Sequence, residues 1–401
     1  MKVKYFNSNF ENIKSIPSFD KRIIDIISKL PALNIIFDKK KLNETKKIIE
    51  NYKLNKKKII LFGTGGSNLG ARTLYNINNN NKINIEFYDN VDPYTFDKFF
   101  ESIDFKSTGF IIVSKSGNTP ETLAQFSSLY QMAVQKNNID QFLSNILIIT
   151  EFKDSPLYKI SQEKNCLALE HSNEIGGRFS VFSNVGIVPA ILSGINISDL
   201  YSGAKEIFNN IEKYSALNLS KYLCRQENKK YTSNVIMTYS DNLYYFGKWY
   251  LQLWAESIGK NKKGITAIHS IGTTDQHSQL QLYLDGPKDK FFTFITTNHS
   301  NKGPKLNNDL FRNTEIDYFK NKRMGDLMDA EQRATIETFR LNKFSFREIF
   351  VPKVDEKNIG KLLSLSMIET IASCIHLDAL RNFIITLTNL TYSGLRPYSL
   401  V

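Results

Sequence analysis

A short buried strand that ends in glycines and opens into a helix is the feature that most limits what this chain can be. Lys58-Ile59-Ile60-Leu61-Phe62-Gly63 is such a run, and a helix is expected from Leu69. The unit recurs. Strand-like runs at Ile83 to Tyr88, Phe110 to Ser114 and Ile146 to Thr150 are each followed by a turn and a helical stretch, such as Pro120 to Gln135 or Ser155 to Lys164. Strands that alternate with helices are joined by right-handed crossovers, which gives a parallel sheet covered on both faces. A second cycle begins near Asn234, with a strand Val235 to Tyr239, an aromatic helix Tyr244 to Ser257, and strands at Ile265 to Ile268 and Phe291 to Thr296. The chain is therefore expected to be α/β, with two consecutive domains built on mainly parallel sheets.

The flanks are expected to be helical. Residues 19 to 52 carry Ile23, Ile24, Ile26, Ile27 and Leu30 at helical spacing, so 1–52 is expected to be an N-terminal helical segment. The first domain is placed at 53–195, and linker helices with the second domain at 196–380. Between the two cycles Ile187 to Leu223 looks helical, with Pro189 near a helix start and Gly194 as a break. A last helix is expected from about Asn358 to Leu377, where Ile359, Leu362, Leu363, Leu365, Met367, Ile368 and Ile371 form a broad apolar face.

The 401 residues, 41% of them hydrophobic, suffice for two well-packed domains. Residues 1 to 17 lack the apolar core of a secretory signal, and no run approaches a membrane span. Cys166, Cys224 and Cys374 lie too far apart in sequence for a CxxC pair or a disulfide framework. A reducing cytoplasm is the expected location. The net charge of +12 raises nucleic acid or an anionic substrate as partner, but lysine is spread widely and no basic stripe is interleaved with aromatics. Neither nucleic acid nor a membrane is expected to be bound.

Five segments carry chemistry. In Gly63-Thr64-Gly65-Gly66-Ser67-Asn68-Leu69-Gly70, backbone N–H groups between strand and helix can cradle a phosphate or sugar hydroxyls. A structural tight turn explains the glycines equally well. The segment is not a dinucleotide fingerprint, because Asn68 stands at the third glycine position, and no Gly-Lys-Ser/Thr makes it a P-loop. Ser114-Lys115-Ser116-Gly117-Asn118-Thr119 leads through Pro120 into a helix bearing Glu121. Its three hydroxyls and the helix start suit a dianionic monophosphate, where an N-cap alone would explain one hydroxyl. Gly176-Gly177-Arg178 either brings a guanidinium to developing negative charge or is a surface arginine near Glu174. The helix end Gln252 to Lys260 sets Glu256 among aromatic neighbours, where partial desolvation suits a base. Gly272-Thr273-Thr274-Asp275-Gln276-His277 presents an imidazole on a loop, and Asp275 can cap the following helix. The five histidines form no H-x-H or H-E-x-x-H pair, so no metal is expected, and with neither a dinucleotide fingerprint nor a P-loop no cofactor is expected either.

Taken in this order, the Gly-Gly-Ser at 65–67, the Ser-Lys-Ser loop at 114, Gly-Gly-Arg at 176–178, Glu256-Ser-x-Gly-Lys260 and Gly272-Thr-Thr-Asp-Gln-His277 resemble the glucose-6-phosphate isomerase family over roughly residues 55 to 380. The resemblance implies two doubly wound sugar-isomerase (SIS) domains and a homodimer with shared active sites. It implies an aldose-ketose isomerase of glycolysis and gluconeogenesis, interconverting glucose 6-phosphate and fructose 6-phosphate through a cis-enediol. By the same resemblance Glu256 shuttles the proton between C1 and C2, and Arg178 stabilises the enediolate. His277, supplied by the neighbouring subunit and oriented by Glu121, helps to open the ring. Ser114, Lys115, Ser116 and Thr119 bind the phosphate end, and Gly66, Ser67 and Gln252 contact the sugar. A noncatalytic phosphosugar-binding SIS protein and an isomerase of a related sugar phosphate such as mannose 6-phosphate are the alternatives. One departure stands out: the family's closing motif, with a lysine that assists ring opening, is replaced by an atypical tail, 381–401. No lysine follows Lys361, and residues 382–401 hold a single charged side chain, Arg396.

Overall fold

The computed structural model describes residues 1–7, 17–77, 81–101, 103–211, 219–220, 222–223, 231–260, 262–312 and 314–377. The 381–401 tail lies outside them. Ten strands are described: β1 (Lys2–Phe6), β2 (Lys58–Phe62), β3 (Asn84–Tyr88), β4 (Thr108–Val113), β5 (Ile146–Thr150), β6 (Leu167–Glu170), β7 (Ser233–Thr238), β8 (Thr266–Ile271), β9 (Lys290–Thr297) and β10 (Phe346–Val351). They form two five-stranded sheets, ordered β3-β2-β4-β5-β6 and β8-β7-β9-β10-β1. Every pairing is parallel except that of β1 with β10.

The first sheet follows directly from period-two geometry. Ile60, Phe62, Phe110, Ile112, Ile146 and Ile148 point to one face and pack with Phe96, Phe99, Phe126, Leu129 and Phe142. Their alternates Ile59, Leu61, Ile111, Val113, Leu147 and Ile149 point to the other face, against Ile49, Tyr52, Val185, Val188 and Leu192. Every residue of β4 and β5 is buried, as a strand covered on both sides requires. Because β2 lies between β3 and β4, the chain reverses its direction of travel across the sheet there. The loops after β2 and β4 therefore flank a crevice at their carboxyl ends, where open α/β sheets place ligands.

The second sheet repeats the winding, with β7 between β8 and β9. Its inner face, the helices Tyr244–Ile258 and Ile197–Phe208, and the buried helix Glu356–His376 share one large core with part of the N-terminal helices. Three features depart from the sequence expectations. Residues 1–52 are not wholly helical, because Lys2–Phe6 is a strand at the edge of the second sheet. Its alternation of lysine with Val3, Tyr5 and Phe6 matches a half-buried edge. Pro189 lies inside the helix Asn184–Ser193 rather than near its start, while Gly194 ends that helix with φ +88°. β6 and β10 answer to no expected strand. Among the described residues, no helix is long and apolar enough to cross a membrane.

Candidate active site

The loop after β2 makes a 3-10 turn at Gly65–Ser67, tied by Asn68, whose side-chain amide donates to the Gly63 carbonyl at 3.1 Å. Gly66 faces the segment that carries Arg178 so closely that a Cβ there would lie 2.3 Å from the Gly177 carbonyl carbon. Only glycine permits this approach. The Ser180 hydroxyl fastens the contact by donating to the Gly66 carbonyl at 3.2 Å. Two of the five segments are thus backbone neighbours.

The third arrives from the second half of the molecule. On the helix Tyr244–Ile258, Trp249, Tyr250 and Trp254 turn into the core, which leaves Gln252 and Glu256, four residues apart, on the opposite side. The Gln252 amide donates to Glu256 Oε1 at 2.8 Å, and Arg178 Nη1 stands 3.8 Å from Glu256 Oε2. The aromatic neighbours expected to enclose Glu256 belong to the core instead. The Glu256 side chain is 34% exposed, against 2% for Arg178. Arg178 is held by donation from Nε to the Ser257 hydroxyl at 2.7 Å and by stacking on Phe179. Burial draws its guanidinium below the ordinary arginine value, and Glu256 opposes that drift. Arg178 Nη2 and Gln252 Oε1 are buried with no hydrogen-bond partner among the described residues. Unsatisfied buried polar atoms in a native site call for a ligand or water to complete them.

The loop after β4 forms a second cluster. Ser114 Oγ and Thr119 Oγ1 share a hydrogen bond of 2.8 Å, while Ser114 Oγ and Ser116 Oγ accept from the backbone amides of Gly117 and Asn118, each at 3.2 Å. Gly117 has φ +69°, and a Cβ there would lie 2.2 Å from Ser155 Oγ. Thr119 occupies the N-cap of the helix Pro120–Gln135 but makes no side-chain cap, and an uncapped helix start favours an anion. Lys115 leans toward the Arg178 segment, and the positive charge of Arg178 acts on its ammonium.

Gly66, Arg178, Gln252 and Glu256 are therefore gathered in one cluster and Ser114, Ser116 and Thr119 in a second. Ser67 is half-buried at the end of the first turn, and Glu121 is half-buried in the first turn of its helix. His277 is exposed on the short helix Thr274–Ser278, after β8. Among the described residues, no hydrogen bond or ion pair joins Glu121 or His277 to the Glu256 cluster. Asp275 caps backward, accepting from the Ile271 amide at 2.7 Å. Ser257 and Glu151, which hold Arg178 and Lys115, escaped notice in the sequence. Ser257 adjoins Glu256 within a quoted motif, and Glu151 is the first residue after a strand, so both had a positional signal. A separate groove of about 520 Å³ is lined by none of these site residues; there Arg72 is occupied by Asp89 and the Phe87 carbonyl.

Two like-wound α/β halves, meeting where a carboxylate, an amide and a guanidinium converge, place the protein in the phosphosugar-isomerase class of folds. A hypothetical protein of Thermus thermophilus superposes with TM-score 0.80 at 24% identity, covering 93% of this chain and 94% of that one. A glucose-6-phosphate isomerase of Chlamydia trachomatis superposes with TM-score 0.71 at 19% identity, covering 86% of this chain and 72% of that one. More particularly, the chain belongs to the phosphoglucose isomerase family, whose model matches residues 45–371. A probable glucose-6-phosphate isomerase of Methanococcus maripaludis is 35% identical over 93% of this chain and 84% of its own length. The glucose-6-phosphate isomerase of Campylobacter jejuni is 32% identical over 83% and 81%.

Proposed function

We propose that this protein is an aldose-ketose isomerase that interconverts glucose 6-phosphate and fructose 6-phosphate. The observation that carries the proposal is the Gln252–Glu256–Arg178 arrangement, in which a fixed carboxylate stands opposite a buried guanidinium with one nitrogen still unpartnered. The sugar phosphate enters with its phosphate on the 114–119 loop and the first-turn amides of the following helix. That binding energy positions carbons 1 and 2 against Glu256. Glu256 takes the proton from C2 of the open-chain aldose. The electron pair left at C2 forms the C1–C2 double bond, and the carbonyl electrons move onto O1. Arg178 Nη2 stabilises the resulting oxyanion, in an environment where its charge is little screened. Transfer of the O2 hydroxyl proton to O1 and return of the proton from Glu256 to C1, with O2 becoming the carbonyl oxygen, give the ketose.

Ring opening precedes this sequence. His277, exposed in one copy of the chain, is assigned to the site of a second copy in a homodimer, and Glu121 is assigned to orient it. The protein works in the cytoplasm, within glycolysis and gluconeogenesis. Glu256→Gln tests the assignment: turnover should fall by about 10²- to 10⁴-fold, because the amide keeps the shape but accepts no proton. Exchange of the C2 proton with solvent deuterium should disappear, while a sugar-acid phosphate still binds within a few-fold. Retained exchange in the variant would remove Glu256 from the role, and a wild-type protein inactive on both sugars would end the proposal.

A further inference from the structure

The first residues after three neighbouring strands line up at the crevice: Ser114 after β4, Glu151 after β5 and His171 after β6. The sheet ladder runs on past the strand ends. The Ser114 amide donates to the Ile149 carbonyl at 3.1 Å, the Glu151 amide to the Lys115 carbonyl at 3.1 Å and the His171 amide to the Thr150 carbonyl at 2.8 Å. Lys115 bridges this row. Its Nζ lies 3.5 Å from Glu151 Oε1 and donates to the Asn173 carbonyl at 3.1 Å, in the loop that leads to Arg178. The side chains are 19% exposed for Lys115 and 7% for Glu151. The other Glu151 oxygen pairs with Lys153.

We infer that Glu151 is a positioning residue, which holds the Lys115 ammonium at the joint between the phosphate loop and the segment that delivers Arg178. The inference rests on the proposed isomerase function and adds a residue to its phosphate end. The charges around Lys115 explain why a carboxylate is needed there. Burial pulls the ammonium below the ordinary lysine value, Lys153 and Arg178 push the same way, and Glu151 opposes them. His171, on the same row, brings no charge near neutral pH, because burial pushes it down to about 4. Without Glu151, Lys115 would be a buried amine among cations and would shed its proton at a lower pH. As a neutral amine it loses most of its attraction for a phosphate dianion.

Steady-state kinetics of the full chain from about pH 6.5 to 9.5 test this. In Glu151→Gln the KM for fructose 6-phosphate should rise about tenfold near neutrality, with kcat reduced less than about threefold, and its alkaline increase should begin roughly one pH unit earlier than in wild type. Because Glu151 acts through Lys115, Lys115→Gln/Glu151→Gln should show the KM of Lys115→Gln alone. Lys153→Met, a surface change that leaves Glu151 to Lys115, should move the alkaline increase the opposite way, which keeps the test open if Glu151→Gln does not fold. Superimposable profiles in all variants, or additive losses in the double variant, would overturn the inference. Calorimetric titration with inorganic phosphate separates the two proposals. Weaker phosphate binding in Glu151→Gln supports the positioning role even if the wild-type protein isomerises neither sugar, and unchanged binding counts against it even if isomerisation is robust.

Discussion

The two sheets wind identically, yet they are completed in different ways. Counting outward from the switch point, β3-β2-β4-β5-β6 and β8-β7-β9-β10-β1 share one order, but the fifth strand of the first is its own β6, parallel, whereas the fifth strand of the second is the antiparallel β1. The interiors differ as well. The first sheet is sealed by apolar residues on both faces, and the second buries an ion pair in which Arg347 of β10 meets Glu369 of the last helix through two bonds, of 2.5 and 2.9 Å. Arg347 also donates to Thr293 Oγ1 on β9 at 3.0 Å, so one guanidinium joins two strands and a helix. The same fold is thus held by packing in one half and partly by buried charge in the other. In the proposed reaction the first half grips the phosphate and supplies Arg178, while the second supplies the base.

Removing one partner of the buried pair should have the largest effect. Glu369→Leu leaves Arg347 charged and unpaired inside the protein and should cost about 3 to 5 kcal/mol in urea denaturation, with most of the loss recovered in Arg347→Met/Glu369→Leu. A single variant as stable as wild type would erase this difference between the halves. Next in size, Thr119→Val removes a hydroxyl from the phosphate loop. A lost hydrogen bond to a charged group costs about 1.5 to 3 kcal/mol, so the KM for either sugar phosphate should rise roughly ten- to a hundredfold with kcat nearly kept. A fall in kcat at unchanged KM would assign the 114–119 loop to chemistry rather than grip.

The smallest effect concerns acid. His171 in the first half is held neutral, with its pKa down at about 4 from the ordinary 6.5. Between those values the unfolded chain binds a proton that the folded one refuses. Its contribution is therefore whole above pH 6.5 and is lost as the pH falls toward 4, by up to about 1.4 kcal/mol per pH unit. Melting temperatures of wild type and His171→Asn should converge between about pH 7 and pH 5, and a constant separation would show that His171 carries no such penalty. His269 of the second half is likewise pushed down to about 4, so the variant should retain part of the acid sensitivity.

This contrast also explains what could be read in advance. β2, β4 and β5 declare themselves because each is apolar along most of its length and ends at a turn. β10 reads Phe-Arg-Glu-Ile-Phe-Val, and its charges break the run. Arg347 is at home inside only because Glu369 reaches it from another element, a pairing that no local pattern displays. β6 is four residues at an edge, too short to stand out. At the candidate site, Gly66, Arg178, Gln252 and Glu256 stand in short motifs that single them out in the sequence, and the fold gathers them into one cluster. The aromatic surroundings expected for Glu256 were not found, because adjacency along a helix is not adjacency in space: Trp254 and Glu256 point to different sides. Glu151 was hidden for the reverse reason, since its partner Lys115 lies on a neighbouring strand end and far off in the chain.

The placement of β1 bears on the order of assembly during synthesis. Lys2–Phe6 leaves the ribosome before the other described strands, but its partner Phe346–Phe350 follows about 340 residues later, and closing so long a loop costs on the order of 5 kcal/mol in chain entropy. The first sheet, whose strands all come from residues 58–170, can form while synthesis continues. Until β10 is made, the Lys2–Phe6 segment must wait unpaired, and β10 in turn offers an open edge until that segment returns. The described strand made before the others is thus placed among the last, and a bulky fusion ahead of it would delay the closing step of the second sheet while leaving the first free to form.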